Sequence, residues 1–312
     1  MSSLKMGVIG IGHLGVHHAR IVSSLPEVEL IGICDINASQ ARRIASQYKT
    51  AAYTDYRQLL TKVDAVSIAV PTPLHYQIAK DFINAQVHCL IEKPITPNLA
   101  EAEELLALVK QKNLILQVGH IERFNPAVLE AQKYINEPKF IEVNRLGPYD
   151  PRVAHISVVL DLMIHDIDIV LYLVQDRILS IDAVGAKVLS HFEDIANARI
   201  RFANGCVANI SASRVSLKKF RKIRIFQKDS YLSLDYAKPG LKLYQKKKED
   251  VTSLKDIRVV YPRLVKLEPL AEELKHFVNC VREGRNPQVT GEHGRDALEI
   301  ALEIMRKIKS SE

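Results

Sequence analysis

Three glycines near the start of the chain have the spacing of a phosphate-binding turn. The motif GIGHLG occupies residues 10–15. It begins at the last residue of the apolar run 6–10 and opens a stretch with helical character. The first glycine permits a tight turn, the second lets the backbone approach a pyrophosphate, and the third allows close packing of helix on strand. Free N–H groups at the start of a helix bind anions. The pattern predicts a dinucleotide site formed by Gly10, Gly12, His13, Leu14 and Gly15.

Asp35 ends the second apolar run, 20 residues after Gly15. A carboxylate at this point of a dinucleotide-binding fold accepts hydrogen bonds from the adenosine ribose. It would repel a 2′-phosphate, and the next three residues contain no arginine to neutralise that charge, although Arg42 and Arg43 lie on the following helix. The sequence therefore predicts NAD as the cofactor, with NADP as the less favoured alternative.

Two further loops follow buried strands and carry polar side chains. VPTPLH occupies residues 70–75 and IEKP occupies residues 91–94. Ligands of open α/β sheets bind beyond the carboxyl ends of the strands, so both loops are expected near the nicotinamide half of the cofactor. Lys93 would be partly desolvated there and could polarise a substrate hydroxyl, whereas the simpler interpretation of His75 is a helix-start residue. The predicted cofactor contacts of these loops are Pro71, Thr72, His75, Glu92 and Lys93.

The apolar segment 157–174 is predicted to form a nearly buried helix with one polar stripe. Asp161, His165, Asp168 and Tyr172 share that stripe because each follows the previous one by three or four residues. Burying a carboxylate without a partner is costly. The stripe therefore either lines a polar cleft or closes an internal network.

These side chains suit the oxidation of a secondary alcohol, in which a hydride and a proton leave the substrate. His165 is predicted to be the general base because histidine titrates near neutrality, and Asp161 would orient its ring. Lys93 would stabilise the developing alkoxide. With a depressed pKa, Lys93 could itself be the base, and the sequence leaves both assignments open.

Four residues that follow the first domain are candidates for substrate contacts. The planar guanidinium of Arg123 suits a diphosphate, with a domain-linking salt bridge as the alternative. Asn125 lies beside it, and His120 is a weaker candidate. Tyr149 and Arg152 precede the catalytic helix in a loop that could close over a nucleotide sugar. Together with Lys93, Asp161 and His165, the residues Arg123, Asn125, Tyr149 and Arg152 form the predicted substrate site.

Alternating strands and helices are predicted to position these residues. Up to residue 121, apolar runs without polar alternation are separated by amphipathic stretches, which is typical of a doubly wound parallel sheet with helices on both faces. We therefore expect an α/β Rossmann domain over residues 1–121. The predicted strands are 6–10, 29–34, 65–70, 88–91 and 114–118, and the predicted helices include 38–48, 75–85 and 99–110.

Residues 122–312 are expected to form a second α/β domain, with the C-terminal helix able to pack back on the first. Six segments with strand-like alternation lie between helices, and Asn204-Gly205 is a hairpin turn signal. This pattern suits a sheet with one covered face, whose other face would meet a second subunit. The predicted strands are 181–188, 195–202, 206–213, 222–227, 231–236 and 241–244.

The composition, with 312 residues, 47% hydrophobic and 25% charged, fits an ordinary two-domain globular protein. Four widely spaced cysteines without a CxxC pair predict reduced thiols in a cytoplasmic protein and no metal site. The short, glycine-containing apolar start predicts a buried strand rather than a signal peptide, and no run is long enough for a membrane span. The net charge of +7 fits a solvated surface or an anionic small ligand. A nucleic-acid partner is not expected, because the basic stretches lack interleaved aromatics.

The combination of GIGHLG, ICD at residues 33–35, VPTPLH, EKP and DLMIHDID at residues 161–168 resembles the glucose–fructose oxidoreductase/inositol dehydrogenase (Gfo/Idh/MocA) family over nearly the whole chain. The resemblance implies a Rossmann domain followed by an α/β domain with a large open mixed sheet, which commonly supports dimers or tetramers. It also implies active-site roles for Lys93 of EKP, whose proline peptide is often cis, and for Asp161 and His165. One position departs from the family, because Met163 stands where members often have glycine.

Within the family, residues 118–126 and 158–166 are most similar to enzymes that oxidise C3 of UDP-N-acetylglucosamine. The leading prediction is therefore NAD-dependent oxidation of a UDP-N-acetylhexosamine. An inositol or free-sugar dehydrogenase is the alternative enzyme, since it needs no diphosphate clamp. A third hypothesis is a dinucleotide-binding sensor without enzymatic turnover, but the joint presence of Lys93, Asp161 and His165 argues against it.

Overall fold

A computed structural model describes residues 3–311 of the chain. Contacts between Cα atoms divide it into two compact units. The first unit contains the residues up to Ile121 together with Glu268–Asp296, and the second contains Glu122–Leu267 together with the residues from Ala297 onward. Each unit has its own sheet.

The regular elements follow one another along the chain in a strand–helix alternation, then a run of strands, then two closing helices. In order they are β1 (Leu4–Ile9), α1 (Gly15–Val22), β2 (Val28–Cys34), α2 (Ala38–Gln47), β3 (Ala51–Tyr53), β4 (Ala65–Ile68), α3 (His75–Asn84), β5 (His88–Glu92), α4 (Leu99–Lys112), β6 (Leu116–Gly119), α5 (Pro126–Ala131), β7 (Phe140–Leu146), α6 (Ile164–Val174), β8 (Ile178–Ala186), β9 (Ile195–Phe202), β10 (Val207–Ser213), β11 (Phe220–Phe226), β12 (Ser230–Asp235), β13 (Gly240–Lys246), β14 (Ile257–Val260), α7 (Pro269–Glu283) and α8 (Gly291–Ser311). A π-helical turn, Val159–Met163, leads into α6.

The sheet of the first unit has six parallel strands in the order β3-β2-β1-β4-β5-β6. The strand order reverses between β1 and β4, and ligands of such sheets bind at this reversal. Strands β1, β4 and β5 are buried almost throughout, as expected for strands with helices on both faces. The predicted doubly wound parallel sheet is confirmed. Only the short edge strand β3 was absent from the sequence prediction.

One segment of the later chain is grouped with the first unit. Glu268–Asp296 belongs to the first unit, although the sequence placed it with residues 122–312. The reason lies in α7, which packs against α1. Its apolar face, with Leu270, Leu274 and Phe277, joins the core formed by the first strands. The returning element is thus α7 and the start of α8.

The sheet of the second unit has eight strands in the order β14-β13-β12-β11-β7-β10-β9-β8. Strand β10 is parallel to β7, and the other neighbours pair antiparallel, so the sheet is mixed as predicted. The hairpin at Asn204-Gly205 joins β9 to β10, and Gly205 has φ +83°, which suits glycine. The sequence missed β7 and β14 and found the other six strands, β9 with its exact bounds and the other five with at least one end shifted.

Helix α6 and the later part of α8 cover one face of this sheet. Ile164 and Ile167 of α6 and Ala301 and Ile304 of α8 share one core with the inward side chains of the strands. Burial alternates along the strands, as in β9, where every second residue is buried. This period-two pattern indicates one covered and one open face.

Within residues 3–311, none of the helices has the length and apolar character that crossing a membrane requires.

Candidate functional site

The glycine motif forms a tight turn at the strand-order reversal of the first sheet. Gly10 has φ +86°, and a Cβ atom there would lie 2.7 Å from the carbonyl oxygen of Ala69, at the end of β4. A Cβ atom on Gly15 would lie 1.8 Å from the carbonyl oxygen of Gly10. A Cβ atom on Gly12 would meet nothing within 4 Å. Gly10 and Gly15 are therefore required by the fold, whereas Gly12 borders open space.

This difference fits the predicted dinucleotide. Gly12, His13 and Leu14 are exposed, and they precede the first turn of α1. The first N–H groups of a helix have no carbonyl one turn earlier and can bind an anion. The space that a Cβ on Gly12 would fill is where a pyrophosphate approaches such a backbone. The residues present thus suit the group that the motif predicts.

Asp35 holds the glycine turn in place through its carboxylate. Oδ2 accepts a 2.7 Å hydrogen bond from the N–H of Ile11, and Oδ1 accepts a 2.8 Å bond from the N–H of Asn37. Each carboxylate oxygen has a second acceptor position, so the half-buried Asp35 can also bind ribose hydroxyls. Ile36, beside it, is 91% exposed and offers an apolar surface.

The loop after β4 is anchored by His75. Its Nδ1 lies 2.8 Å from the carbonyl oxygen of Pro94 and its Nε2 lies 2.9 Å from that of Val70. The ring is 1% exposed, and burial lowers the pKa of His75. The ring thus connects the loop after β4 to the loop after β5, and the cofactor contact of His75 stays a prediction. Pro71 is exposed and Thr72 is half-buried, so both can still contact a ligand.

Lys93 lies in the loop after β5 and is half-buried. The Lys93–Pro94 peptide bond is cis, as the family resemblance implied. The preceding residue, Glu92, is 8% exposed. Burial alone would raise the pKa of Glu92, but the hydrogen bond and charge of His18 and the charge of Lys93 outweigh it and lower that pKa. An ionised carboxylate therefore neighbours the Lys93 ammonium.

Glu92 belongs to a buried chain of three side chains that the sequence analysis did not identify. His18 of α1 lies 2.7 Å from Ser67 Oγ through Nδ1 and 3.0 Å from Glu92 Oε1 through Nε2. Gly119 makes room for this carboxylate, since a Cβ there would lie 2.9 Å from it. The structure gives Glu92 a contact with His18, and its direct cofactor contact stays a prediction. Sequence periodicity alone gave no signal that His18 faces inward onto β4 and β5.

Asp161 and His165 occupy the start of the apolar helix in the second unit. Both are half-exposed, whereas Val159, Met163 and Ile164 around them are buried. Asp161 lies in the π-helical turn, and His165 is the second residue of α6. Such turns insert an extra residue into a helix and are frequent at functional sites. The structure therefore leaves a carboxylate and an imidazole accessible at one end of a buried helix.

The predicted polar stripe separates into two parts. Asp168 is 1% exposed and binds Arg123 through two 2.7 Å hydrogen bonds. The Arg123 guanidinium also lies 4.0 Å from the ring centroid of Tyr172. Both alternatives of the sequence analysis apply to one helix: Asp161 and His165 remain accessible, while Asp168 closes an internal network.

Arg123 has a structural partner here, and its substrate contact stays a prediction that no observation tests. It is 1% exposed, and its salt bridge lies within the second unit rather than linking two domains. Asn125 is 3% exposed; it caps α5 through Ala127 N–H and donates to Glu122. The substrate contact of Asn125 also stays a prediction. His120 is 1% exposed.

A second buried ionic cluster lies beside α6 and was missed by the sequence analysis. Arg145 of β7 donates 2.7 and 2.8 Å hydrogen bonds to Asp166 and a 3.0 Å bond to Glu122. Arg221 of β11 lies 3.8 Å from Glu122. Burial would lower the pKa of Arg145, but the charges of Asp166 and Glu122 outweigh it and raise that pKa.

The loop before the π-helical turn contains the last two predicted contacts. Tyr149 is half-buried, and Arg152 is exposed and paired with Asp150 of the same loop. The loop is held by Arg214, which donates 2.8 Å hydrogen bonds to the carbonyl oxygens of Val153 and Ile156. Both side chains can still reach a ligand, although Arg152 would first exchange its carboxylate partner.

Comparison with known families agrees with this geometry. Residues 4–120 match an oxidoreductase family described as having an NAD-binding Rossmann fold. Residues 138–231 match the C-terminal domain of the same Gfo/Idh/MocA family.

Individual relatives extend the similarity to the whole chain. A UDP-N-acetylglucosamine 3-dehydrogenase from Acidithiobacillus ferrooxidans is 37% identical over 305 residues, which cover 97% of each chain. Its solved structure has a TM-score of 0.94 with 36% identity and covers 99% of both chains. A myo-inositol 2-dehydrogenase from Thermotoga maritima is 26% identical over 99% of each chain. A scyllo-inositol dehydrogenase from Lactobacillus casei, solved with NAD(H) and scyllo-inositol, shares the fold at 19% identity, with a TM-score of 0.84 over 100% of this chain and 98% of its own.

Two family models and two full-length dehydrogenase relatives match the chain, and the glycine turn and the cis Lys93–Pro94 peptide bond agree with them. The chain is therefore an oxidoreductase that belongs to the Gfo/Idh/MocA family.

Proposed function

We propose that this oxidoreductase uses NAD to oxidise the C3 hydroxyl of a UDP-N-acetylhexosamine. The observation that carries the proposal is the half-exposed pair of Asp161 and His165, which lies beside the buried residues Met163 and Ile164. A carboxylate and an imidazole are retained there among apolar neighbours. An imidazole with a carboxylate one turn earlier, both half-exposed, is the kind of group that a proton transfer to or from a bound ligand requires.

The chain's own residues supply the proton chemistry of such an oxidation. His165 takes the hydroxyl proton, because an imidazole accepts protons near neutral pH. Asp161, one turn earlier, orients the ring. Lys93 stabilises negative charge on the substrate oxygen as it develops. The turn with Gly12 and the carboxylate of Asp35 would hold NAD, which would supply the hydride acceptor.

The identity of the base is decided by a pH profile. If His165 takes the proton, its replacement removes the neutral-range limb of the kcat profile while Lys93 variants keep that limb. If Lys93 takes the proton, the limb disappears with Lys93 instead. We propose His165 as the base because an imidazole takes up protons near neutral pH, while the charge of Lys93, which lowers the pKa of the adjacent Glu92, suits Lys93 to stabilising an alkoxide.

The preference for NAD over NADP rests on Asp35. Its carboxylate is fixed by the N–H groups of Ile11 and Asn37 and would lie against a 2′-phosphate. Two like charges at that separation repel each other. The solved relative with NAD(H) shares this fold.

Two groups of relatives support two substrate classes. The A. ferrooxidans nucleotide-sugar enzyme is 37% identical, compared with 26% for the T. maritima inositol enzyme. The higher identity favours a nucleotide sugar, and an inositol or free sugar is the second candidate. A non-catalytic sensor is disfavoured because the named relatives are dehydrogenases.

A substrate screen tests the proposal directly. Purified protein is incubated with NAD or NADP and with UDP-N-acetylglucosamine, UDP-N-acetylgalactosamine, UDP-glucose, myo-inositol or scyllo-inositol, and absorbance of the reduced cofactor is followed. The expected result is turnover with NAD and a UDP-N-acetylhexosamine. Turnover with inositols alone would replace the substrate assignment, and turnover with none of the compounds would contradict it.

We also propose that the chain forms a homo-oligomer, a dimer or a tetramer, through the open face of the second sheet. Four aromatic rings form a row across neighbouring strands of that face, with centroids 5.7, 4.8 and 5.0 Å apart. The row contains Phe140, Phe226, Tyr231 and Tyr244. Aromatic side chains are enriched in interfaces. Light scattering on the wild type and on Tyr231→Glu is expected to show a smaller species for the variant, and a monomeric wild type would contradict the proposal.

A further inference from the structure

Arg221 lies opposite Arg145 in the second sheet and differs from it in what surrounds it. The two residues are direct partners in the antiparallel pair of β11 and β7, so their side chains are on the same face. That face is the covered one, because Ile141 and Val143 precede Arg145 on it and are buried. The ionic cluster of Glu122 and Asp166 borders both arginines.

Glu122 and Asp166 neutralise the charge of Arg145 through hydrogen bonds, whereas Arg221 makes no such hydrogen bond to them. The Arg145 side chain is 3% exposed and forms three hydrogen bonds to carboxylates. The Arg221 side chain is 36% exposed, and its Nη1 is 3.8 Å from Glu122 Oε1, beyond hydrogen-bond distance. A guanidinium has five N–H donors in a planar fork. Arg221 therefore presents a charged fork that the neighbouring carboxylates leave largely unused.

Arg221 is also electrostatically linked to the candidate catalytic carboxylate. Burial and the charge of Arg145 lower the pKa of Arg221, and the charges of Glu122, Asp166 and Asp161 act in the opposite direction. A guanidinium stays protonated throughout the physiological range. A permanent positive charge thus lies within electrostatic range of Asp161, at the accessible end of the helix.

The other arginines near this end are already occupied. Arg123 is bound to Asp168, Arg214 to Asp194 and two carbonyl groups, and Arg152 to Asp150. The sequence analysis placed the diphosphate contact at Arg123 and expected Arg152 in a loop that closes over the substrate. The first is fully buried and the second is exposed and paired.

We propose that Arg221 binds a phosphate group of the substrate and thereby selects a phosphorylated sugar, in the form of a nucleoside diphosphate sugar, over an uncharged one. The inference rests on the proposed function and deepens it. Guanidinium forks bind phosphate oxygens through two parallel hydrogen bonds. C1 and C3 belong to the same sugar ring, so a diphosphate on C1 lies within about one side-chain length of a C3 hydroxyl that gives its proton to His165, one turn from Asp161.

UDP serves as the probe, because it carries the diphosphate without a reacting hydroxyl. Its binding to the full-length protein is measured by calorimetry for the wild type, Arg221→Gln and the control Arg224→Gln. Arg224 is on the same strand but on the opposite face, and it pairs with Glu142. The expected result is a rise in the UDP Kd of at least about 10-fold for Arg221→Gln, the range of a lost charged hydrogen bond. The Kd of Arg224→Gln should stay within about twofold of the wild type.

Two further measurements keep the inference testable if Arg221→Gln folds poorly. Arg221→Lys keeps the charge but loses the fork, and its UDP Kd should rise severalfold. In the wild-type protein, UDP should protect Arg221 from modification by phenylglyoxal, as read by mass spectrometry. An unchanged Kd in a folded Arg221→Gln, or modification of Arg221 that UDP does not slow, would overturn the inference.

The outcomes separate this inference from the proposed function. Arg221-dependent UDP binding by a protein that oxidises none of the UDP-sugars would support the phosphate site and contradict the proposed reaction. Equal KM values for a UDP-sugar in the wild type and Arg221→Gln would contradict the phosphate site while the reaction stands. A raised KM with a much smaller change in kcat is the result expected when both hold.

Discussion

Arg123 and Asp168 form a buried salt bridge with two 2.7 Å hydrogen bonds, one from Nε and one from Nη2 of the guanidinium. Each side chain is 1% exposed, and Tyr172 lies against the guanidinium. The bridge joins the turn that follows β6 to the middle of α6. It therefore holds the helix whose first turns contain Asp161 and His165.

Removing one partner of this pair should destabilise the second unit. Asp168→Ala leaves the Arg123 charge buried without its carboxylate, which typically costs about 3–5 kcal/mol. We expect a corresponding fall in the free energy of unfolding measured with urea. The matched control is Asp150→Ala, which breaks the exposed pair with Arg152 and should cost at most about 1 kcal/mol. Equal stability of both variants would show that the buried pair is not structural.

Two glycines of the same motif should respond differently to alanine. Gly15→Ala places a Cβ 1.8 Å from the Gly10 carbonyl oxygen and should lower the thermal unfolding midpoint. Gly12→Ala projects into open space, so the midpoint should be unchanged while the Kd for NAD rises about 10-fold or more. Thermal unfolding and fluorescence titration with NADH measure the two effects. Tight cofactor binding by Gly12→Ala would remove the assignment of that space to the pyrophosphate.

The charge of Asp35 should set the preference between the two nicotinamide cofactors. Asp35→Asn keeps a side-chain acceptor for a backbone N–H but removes the negative charge. The ratio of the NADP Kd to the NAD Kd should then fall about 10-fold, because a repulsion of this kind is worth about 1–4 kcal/mol near a protein surface. Asp35→Ala, which also loses the acceptor, should weaken NAD further. An equal loss for NAD and NADP in both variants would contradict the role of the charge.

Acid stability should depend on Asp194. Burial would raise the pKa of Asp194, but hydrogen bonds from the backbone of Leu189, the Arg214 side chain and neighbouring N–H groups outweigh it and hold that pKa below its ordinary value. A carboxyl group with a depressed pKa stabilises the fold above its unfolded pKa of about 3.9, and this stability is lost as the pH falls below that value. Asp194→Asn should therefore flatten the fall of the free energy of unfolding below about pH 4.

The control for that experiment is Glu249→Gln, an exposed carboxyl group near the end of β13. Its unfolding free energy should follow the wild-type pH dependence. If Asp194→Asn and the wild type lose stability in parallel on acidification, another group causes the loss.

Most of the fold of the first unit could be predicted from the sequence. Continuous apolar runs such as Ala65–Ile68 allow few alternatives to a buried parallel strand, and GIGHLG fixed the place where the first crossover begins. The sequence did not predict that α7 packs in the first unit. Periodicity shows that Leu274 and Phe277 share an apolar face, but it does not show which of two cores that face covers.

Strand β7 of the second sheet was not predicted because of one charged residue. Its inward positions are Ile141, Val143 and Arg145, and the charged residue interrupts the alternation of apolar side chains. The partners of Arg145 come from distant parts of the chain, Glu122 and Asp166. A single sequence does not reveal such pairs.

The site residues also divide into those found from local motifs and those whose surroundings depend on distant parts of the chain. The residues expected from local motifs, Gly12, Asp35 and Lys93, lie where a ligand can reach them. Arg123 had the right chemistry for a diphosphate, but a tertiary partner, Asp168, occupies it. The spacing of Asp161 and Asp168 placed both on one stripe of a regular helix, and the π-helical turn changes that register.

The central claim is that Lys93 and His165 act on the same sugar hydroxyl, and a double-mutant cycle tests it most directly. Turnover of UDP-N-acetylglucosamine is measured for Lys93→Ala, His165→Ala and the double variant, with NADH binding as the check that the cofactor site is intact. Each single variant should lose about 100-fold or more in kcat while NADH still binds. The double variant should be far less impaired than the product of the two losses, because the residues assist one step. Wild-type turnover in either single variant would contradict the claim.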